Sequence, residues 1–231
     1  MAPPLAIRAP RAALEAVIRR WPVGPVFEPS GFTWLGDVER HGPAMRAEAL
    51  AVLERLDEVV PFSTVLPGQR ALTQGERWRS YFLVALKRPV DAHARACPAT
   101  MQALAGVPGL LNAFYSILAP DTVVPVHRGP YAGVLRLHVG LVVPDGDVGM
   151  RVDGQPVRWQ EGRSVVFDDS YPHEVWNRTP SPRVVLFVDF ERPLPRPLGA
   201  LNLAILGLVG ASAAAEAARK VVDDTVLPNR A

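Results

Sequence analysis

The sequence predicts a mainly β protein with flanking helices, and two observations carry that expectation. Apolar residues recur at intervals of three and four before about residue 110 and at intervals of two from Ala113 onward. Proline and glycine number 24 and 18 among 231 residues, which leaves little room for long helices. In chain order, Met45, Leu50, Leu53, Leu56 and Val60 mark an amphipathic helix over 43–60, closed by Pro61, and a second short helix runs over Pro98–Ala105. The β-rich runs follow: Ala113–Ala119, Thr122–His127, Val134–Val143, Val148–Val152, Val157–Trp159, Ser164–Phe167, His173–Asn177 and Arg183–Phe190. Turns such as Asp153-Gly154 and Pro180-Ser181-Pro182 separate them. So many short strands without intervening helices suit two facing antiparallel sheets of the jelly-roll or cupin type. The expected organisation is a helical or mixed part over 1–110, a jelly-roll catalytic core over 111–195 and a helical tail over 196–231.

Composition narrows the function. Hydrophobic residues make up 48% and charged residues 21%, a globular balance, and the net charge of +2 comes without any Lys/Arg run, so nucleic-acid binding gains no support. Cys97 is the single cysteine, so no intrachain disulfide and no multi-cysteine zinc site can form. Arg8, Arg11 and Glu15 interrupt the apolar stretch of residues 1–20, which does not read as a secretory signal; a cytoplasmic location is expected. Leu198–Ala215 carries no formal charge and just reaches the lower bound for a bilayer span. Its glycines, Asn202 and helical spacing favour a docked or interfacial helix, with a tail anchor as the alternative and membrane association open in either case. The oligomeric state is not fixed by anything in the sequence.

Three of five histidines, His127, His138 and His173, fall in the strand-rich region, while His41 and His93 fall in the helical part. Arg136 and His138 are two apart, so a strand turns both to one face while Leu135, Leu137 and Val139 pack on the other. Such a strand lines a polar cavity. Arg183 opens an apolar run, and a guanidinium inside the barrel would suit a carboxylate ligand. Histidines for a metal with arginines for an anionic small molecule suggest non-haem Fe(II) bound with a 2-oxo acid.

Several motifs in order carry a family resemblance: His127-Arg128-Gly129-Pro130, Leu135 through Leu141, Trp159-Gln160-Glu161-Gly162, Phe167 through Asn177 and Arg183 through Asp189, with Gly75–Trp78 and Tyr115-Ser116 upstream. Together they resemble the aspartyl/asparaginyl β-hydroxylase family over roughly residues 70–195. The resemblance implies a 2-oxoglutarate- and Fe(II)-dependent dioxygenase on a double-stranded β-helix, using O2 and releasing succinate and CO2. By position, His127 and His173 match its catalytic iron ligands, a choice that spacing alone does not make over His138. His138 and Arg136 match residues near the metal-chelating end of 2-oxoglutarate, and Arg183 and Ser116 match those holding its distal carboxylate. Trp78 matches a pocket residue. Residue 129 is Gly where most enzymes of this chemistry carry a carboxylate, as in this family, where water takes that place. Asp168, Asp169 and Glu174 are candidates to orient a liganding imidazole, or the aspartates simply cap a turn.

The substrate classes implied are the β-carbon of Asp or Asn in a peptide or a related metabolite and, as the alternative, an acyl chain of the lipid A type at a membrane. Arg128, Arg151 and Arg79 are candidate cations for a substrate carboxylate. From another class, the same fold could serve as a non-catalytic ligand- or metal-binding module.

Overall fold

A computed structural model describes residues 5–20, 24–65, 71–72 and 75–224. Its strands are β1 (Val26–Phe27), β2 (Trp78–Ala85), β3 (Arg88–Pro89), β4 (Leu110–Leu118), β5 (Thr122–His127), β6 (Val134–Val142), β7 (Val148–Val152), β8 (Gln155–Val157), β9 (Ser164–Phe167), β10 (His173–Asn177) and β11 (Arg183–Glu191). They form a seven-stranded sheet ordered β1-β9-β6-β11-β4-β2-β3 and a four-stranded sheet ordered β5-β10-β7-β8, with antiparallel pairing throughout the named strands. The two sheets face one another as a double-stranded β-helix.

Alternation along the strands sorts side chains into two cores. On β6, Leu135, Leu137, Val139 and Leu141 join a core under the helices, as do Val184, Leu186, Val188 and Phe190 of β11 and Ala113, Tyr115 and Ile117 of β4. The opposite parity, with Phe114 and Leu118 of β4 and Val185 and Phe187 of β11, meets Val124, Val148, Met150, Val152 and Val175 of the small sheet. The helices over the outer face are α2 (Leu35–Arg40), α3 (Gly42–Leu53), α5 (Asp91–Ala96) and α6 (Pro98–Ala105), while α4 (Phe62–Val65) packs into the core between the sheets and α1 (Leu5–Ile18) packs on α7 (Leu198–Gly210), the first of two tail helices, the second being α8 (Ala213–Asp224). Glu48 of α3 accepts the backbone amides of Ala99 and Thr100, satisfying orphan donors at the start of α6 and tying the two helices together.

Several boundaries differ from the sequence-based expectation. The helix expected over 43–60 stops at Leu53, and a 3-10 turn over Leu56–Glu58 carries the chain onward. Pro61 forces Val60 out of the helical region, and Pro61 instead bridges Arg79. The strand expected at Val157–Trp159 lies at Gln155–Val157, because Asp153 and Gly154, both at positive φ, make a two-residue hairpin turn that pairs Val152 with Gln155. No period of two marks β2 in the sequence. The strand is buried along nearly its whole length, so its apolar run does not alternate. The division at residue 110 does not separate the sheet, since β1, β2 and β3 join it from the N-terminal side.

The tail is held by a polar anchor. Asn202 of α7 donates to the Gly133 carbonyl at 2.8 Å and accepts from Tyr131 Oη at 2.7 Å. A Cβ at Gly133 would lie 2.1 Å from Asn202 Oδ1, so only glycine admits this contact. Arg219 of α8 donates to the carbonyls of Ala85, Arg88 and Pro89. Residues 225–231 of the expected tail lie outside the described residues.

Candidate active site

Seven of the residues singled out from the sequence, Trp78, Ser116, His127, Arg136, His138, His173 and Arg183, line one narrow cavity between the two sheets, with a volume of about 20 Å3. His127 ends β5, His173 begins β10, and the two are cross-strand partners. Directly opposed residues have adjacent side chains, so the imidazoles stand with ring centroids 4.0 Å apart and planes inclined at 53°. His127 Nδ1 lies 2.8 Å from the Pro125 carbonyl, and His173 Nδ1 lies 3.0 Å from that of Tyr171. A carbonyl only accepts, so each ring carries its proton on Nδ1 and presents Nε2 as a lone pair. Burial first, and then neighbouring charge, holds both rings neutral: the His127 pKa is lowered, and that of His173 falls to about 3, with His127 and Arg136 adding to the effect. Neutral imidazoles fixed through Nδ1 are the form that binds a metal ion. Among the described residues no set of three His, Cys, Asp or Glu side chains converges as a metal site. The donor set therefore fits an ion with two protein ligands and open positions.

The far end of the cavity is cationic. Arg183, at the start of β11, is 2% exposed, and its guanidinium lies 4.8 Å over the Trp159 ring. Nη1 donates to the Ser116 carbonyl at 3.2 Å and reaches Ser116 Oγ at 3.5 Å, while buried Nε has no hydrogen-bond partner. Among the described residues no carboxylate pairs with it, and burial pushes its pKa down to about 9. A buried guanidinium without a counter-anion is costly, and a ligand carboxylate would relieve that cost. Trp78 stacks on Phe62 with centroids 4.0 Å apart and donates Nε1–H to Ser116 Oγ at 3.0 Å, which fixes the hydroxyl beside Arg183.

His138 sits between Phe167 and Phe187, and both of its ring nitrogens are buried without partners. Burial, then Arg136 and Arg183, holds its pKa well below the ordinary value. Arg136 is satisfied by protein: its guanidinium meets Asp169 Oδ2 at 2.8 Å and Asp189 Oδ1 at 3.1 Å and lies 4.1 Å over the Phe187 ring. Asp189, Phe187 and Trp159 are site residues that the sequence reading assigned no role. The parity that turns Arg136 inward does the same for Phe187 and Asp189 on the paired strand.

Other candidates lie elsewhere. Arg151 is half exposed and pairs with Glu174 on the outer face of the small sheet, because Glu174, one residue from His173, points the opposite way. Neither residue reaches the cavity. Arg79 is spent on the carbonyls of Leu56 and Val59 and on Glu76. Arg128 is exposed, donates to the Ser170 carbonyl at 2.9 Å and lines a separate cavity beside α1. Asp168 accepts the Ser170 amide and pairs with Arg192, which makes it a turn-forming residue. His93 stacks on Tyr81 in the helix-side layer, with Nδ1 on the Phe82 carbonyl.

Residues 39–193 match the model of the aspartyl/asparaginyl beta-hydroxylase family. The chain is 42% identical over 186 residues to the ornithine lipid ester-linked acyl 2-hydroxylase of Rhizobium tropici, covering 80% of this chain and 66% of that protein. It is 31% identical over 170 residues to the human aspartyl/asparaginyl beta-hydroxylase, covering 71% of this chain and 22% of that one. The chain thus spans about two thirds of the length of the first relative and under a quarter of the second. Its fold is also similar to a crystal structure of a Pseudomonas putida prolyl-4-hydroxylase, at a TM-score of 0.44 and 17% identity over 78% of this chain and all of that one.

Proposed function

The chain belongs to the aspartyl/asparaginyl β-hydroxylase family, and from that premise we propose that it is an Fe(II)- and 2-oxoglutarate-dependent dioxygenase that hydroxylates an unactivated C–H bond. The observation that carries the reading is the pairing, in one cavity, of two neutral imidazoles with a buried guanidinium that has no anion. His127 and His173 would hold the metal through Nε2. Arg183 and Ser116 Oγ would bind the distal carboxylate of 2-oxoglutarate, with Trp78 holding that hydroxyl in place. His138 and Arg136 line the span between the two ends, where orphaned His138 nitrogens are free to bond the chelating end. When bound, the iron and 2-oxoglutarate supply oxidative decarboxylation to succinate and CO2 and the activation of O2. The protein orients the reactants and excludes water.

For the substrate, an acyl chain is favoured over Asp or Asn in a peptide. The relative that is 42% identical is named for acyl 2-hydroxylation. In addition, of the three candidate cations for a peptide carboxylate, Arg151 and Arg79 are committed to other partners, and Arg128 opens on the separate cavity beside α1.

Oxygen uptake with Fe(II) and 2-oxoglutarate, followed by mass spectrometry of acyl lipids and Asp-containing peptides for a gain of one oxygen atom, tests the proposal. Binding of iron and 2-oxoglutarate with no O2 consumption on any substrate of either class would identify a binding module instead.

A further inference from the structure

The helix α7 is apolar on both sides. Its inner side buries Ile205 and Asn202, with Leu198, Leu206 and Val209 packed around the same cluster as Ile7, Leu14 and Ile18 of α1. Its outer side presents Leu201, Leu203 and Leu208, 36%, 51% and 54% exposed, together with Ala200, Ala204 and Gly207. No polar side chain interrupts that face over three turns. A helix apolar all round belongs in a core or in a lipid interface. Half of the large apolar side chains left exposed among the described residues lie on this helix, and Val17 of the neighbouring α1 adds to them.

Charge indicates what covers the face. Residues 5–20 hold four arginines and one glutamate, and residues 192–212 hold two arginines and no acid. These segments together carry +5 in a chain whose net charge is +2, and with Arg192 paired to the buried Asp168 they leave +4 for the surface. A basic rim around an apolar helix matches an anionic bilayer, each such residue near the surface contributing about 1 kcal/mol. The surface also leads to the site. A cavity of about 460 Å3 beside α1, lined by Ile18, Arg19, Phe27, Arg128, Leu194 and the Arg192–Asp168 ion pair, includes Ser170 and Tyr171, which run into His173. Arg128 follows His127 directly.

We propose that α1 and α7 form a docking surface for an anionic lipid bilayer, with the outer face of α7 laid in the interface and the basic cavity turned toward headgroups. The choice of a lipid as substrate rests on the acyl-chain reading above, but docking itself does not depend on it. Among the described residues no single helix is long and apolar enough to cross a membrane; α7 and α8 together pass that test as a pair bent by 63°, but Arg219 ties α8 to the carbonyls of Ala85, Arg88 and Pro89, which favours an interfacial contact.

The test is co-sedimentation of the full chain with vesicles of phosphatidylcholine alone and of phosphatidylcholine with phosphatidylglycerol. The expected result is partitioning onto the anionic vesicles that weakens with salt, at least a tenfold loss for Leu203→Glu/Leu208→Glu, and a similar loss for Arg19→Glu/Arg196→Glu on anionic vesicles only. Near-native circular dichroism and unchanged 2-oxoglutarate binding by the iron-loaded Leu203→Glu/Leu208→Glu variant would show that the fold and site are intact. Wild-type protein that stays in the supernatant, or a variant that sediments as the wild type does, would overturn the proposal. So would a homodimer in solution that the leucine substitutions dissociate, since a second copy would then be what covers the face. Vesicle binding is read without catalysis, so failure of the dioxygenase reading leaves this outcome distinguishable.

Discussion

The carboxylate of Asp169 fills the space that a side chain at Gly129 would need: a Cβ built on Gly129 would lie 1.9 Å from Asp169 Oδ2. Position 129 is two residues after His127, just past the end of β5, where a carboxylate ligand two positions on would be attached, and the Asp169 carboxylate standing there is tied to Arg136. Burial raises the Asp169 pKa to about 6, with Arg136 pulling it back down. Gly129→Asp is expected to destabilise the metal-free protein by about 3 kcal/mol or more, through overpacking against a buried carboxylate. Adding Asp169→Gly should restore much of that loss. Thermal melts of the single and double variants check this, and equal melting of Gly129→Asp and wild type would show that the site relaxes freely.

Arg183→Met separates stability from ligand binding. The guanidinium is buried without a carboxylate, so its replacement by an apolar side chain should leave the ligand-free protein as stable as wild type or more stable by about 1–4 kcal/mol. The same change should weaken 2-oxoglutarate by about 3–5 kcal/mol, more than a hundredfold. Thermal shift with and without 2-oxoglutarate reads both effects, and a variant that retains the ligand-induced shift would show that Arg183 is misassigned.

His173→Ala and His127→Ala are each expected to abolish the increase in melting temperature on adding Fe(II) and to abolish iron-dependent O2 uptake. His93→Ala, which alters the helix-side layer, should lower stability yet keep the iron response. Loss of the iron response in His93→Ala alone would contradict the assignment.

Trp78→Phe keeps the stack on Phe62 but deletes the donor to Ser116 Oγ. It should cost about 1 kcal/mol of binding, raising KM for 2-oxoglutarate several-fold with little change in kcat. Steady-state kinetics at varied 2-oxoglutarate decide it; a fall in kcat at unchanged KM would place Trp78 elsewhere in the mechanism.

The metal-free protein should lose stability as pH falls below about 6.5. His93, His127, His138 and His173 all have folded-state values lowered from 6.5, chiefly by burial. The unfolded histidines therefore take up protons first, and stability declines from 6.5 down toward the folded value of His173, about 3, offset in part below 6 by Asp169, whose raised pKa lets the folded state bind its proton first. Denaturant melts between pH 7 and 4 measure the slope. His93→Gln, which can still donate to the Phe82 carbonyl, should make it shallower.

Much of the site was legible in parity. Arg136 and His138 face the cavity while Leu135, Leu137 and Val139 pack under the helices, as a period of two requires. Parity applied to His173 would also have excluded Glu174. That His127 rather than His138 stands beside His173 was not readable in this way, because it depends on the register that sets the two opposite each other, a pairing across 46 positions of chain that no local pattern encodes. Strand β2 escaped for a different reason. Covered on both faces, Trp78–Ala85 shows no alternation to detect, and only its aromatic and β-branched content marks it as extended. Arg128 and Arg151 looked equivalent in sequence, since the partners that hold them, the Ser170 carbonyl and Glu174, come from another strand or loop.

The pleat of the large sheet acts as a partition. Each of β4, β6 and β11 turns one set of alternate positions toward the cavity and the other toward the outer layer, so the helices, and with them whatever surface the protein meets, can be remodelled while the cavity side chains stay in register.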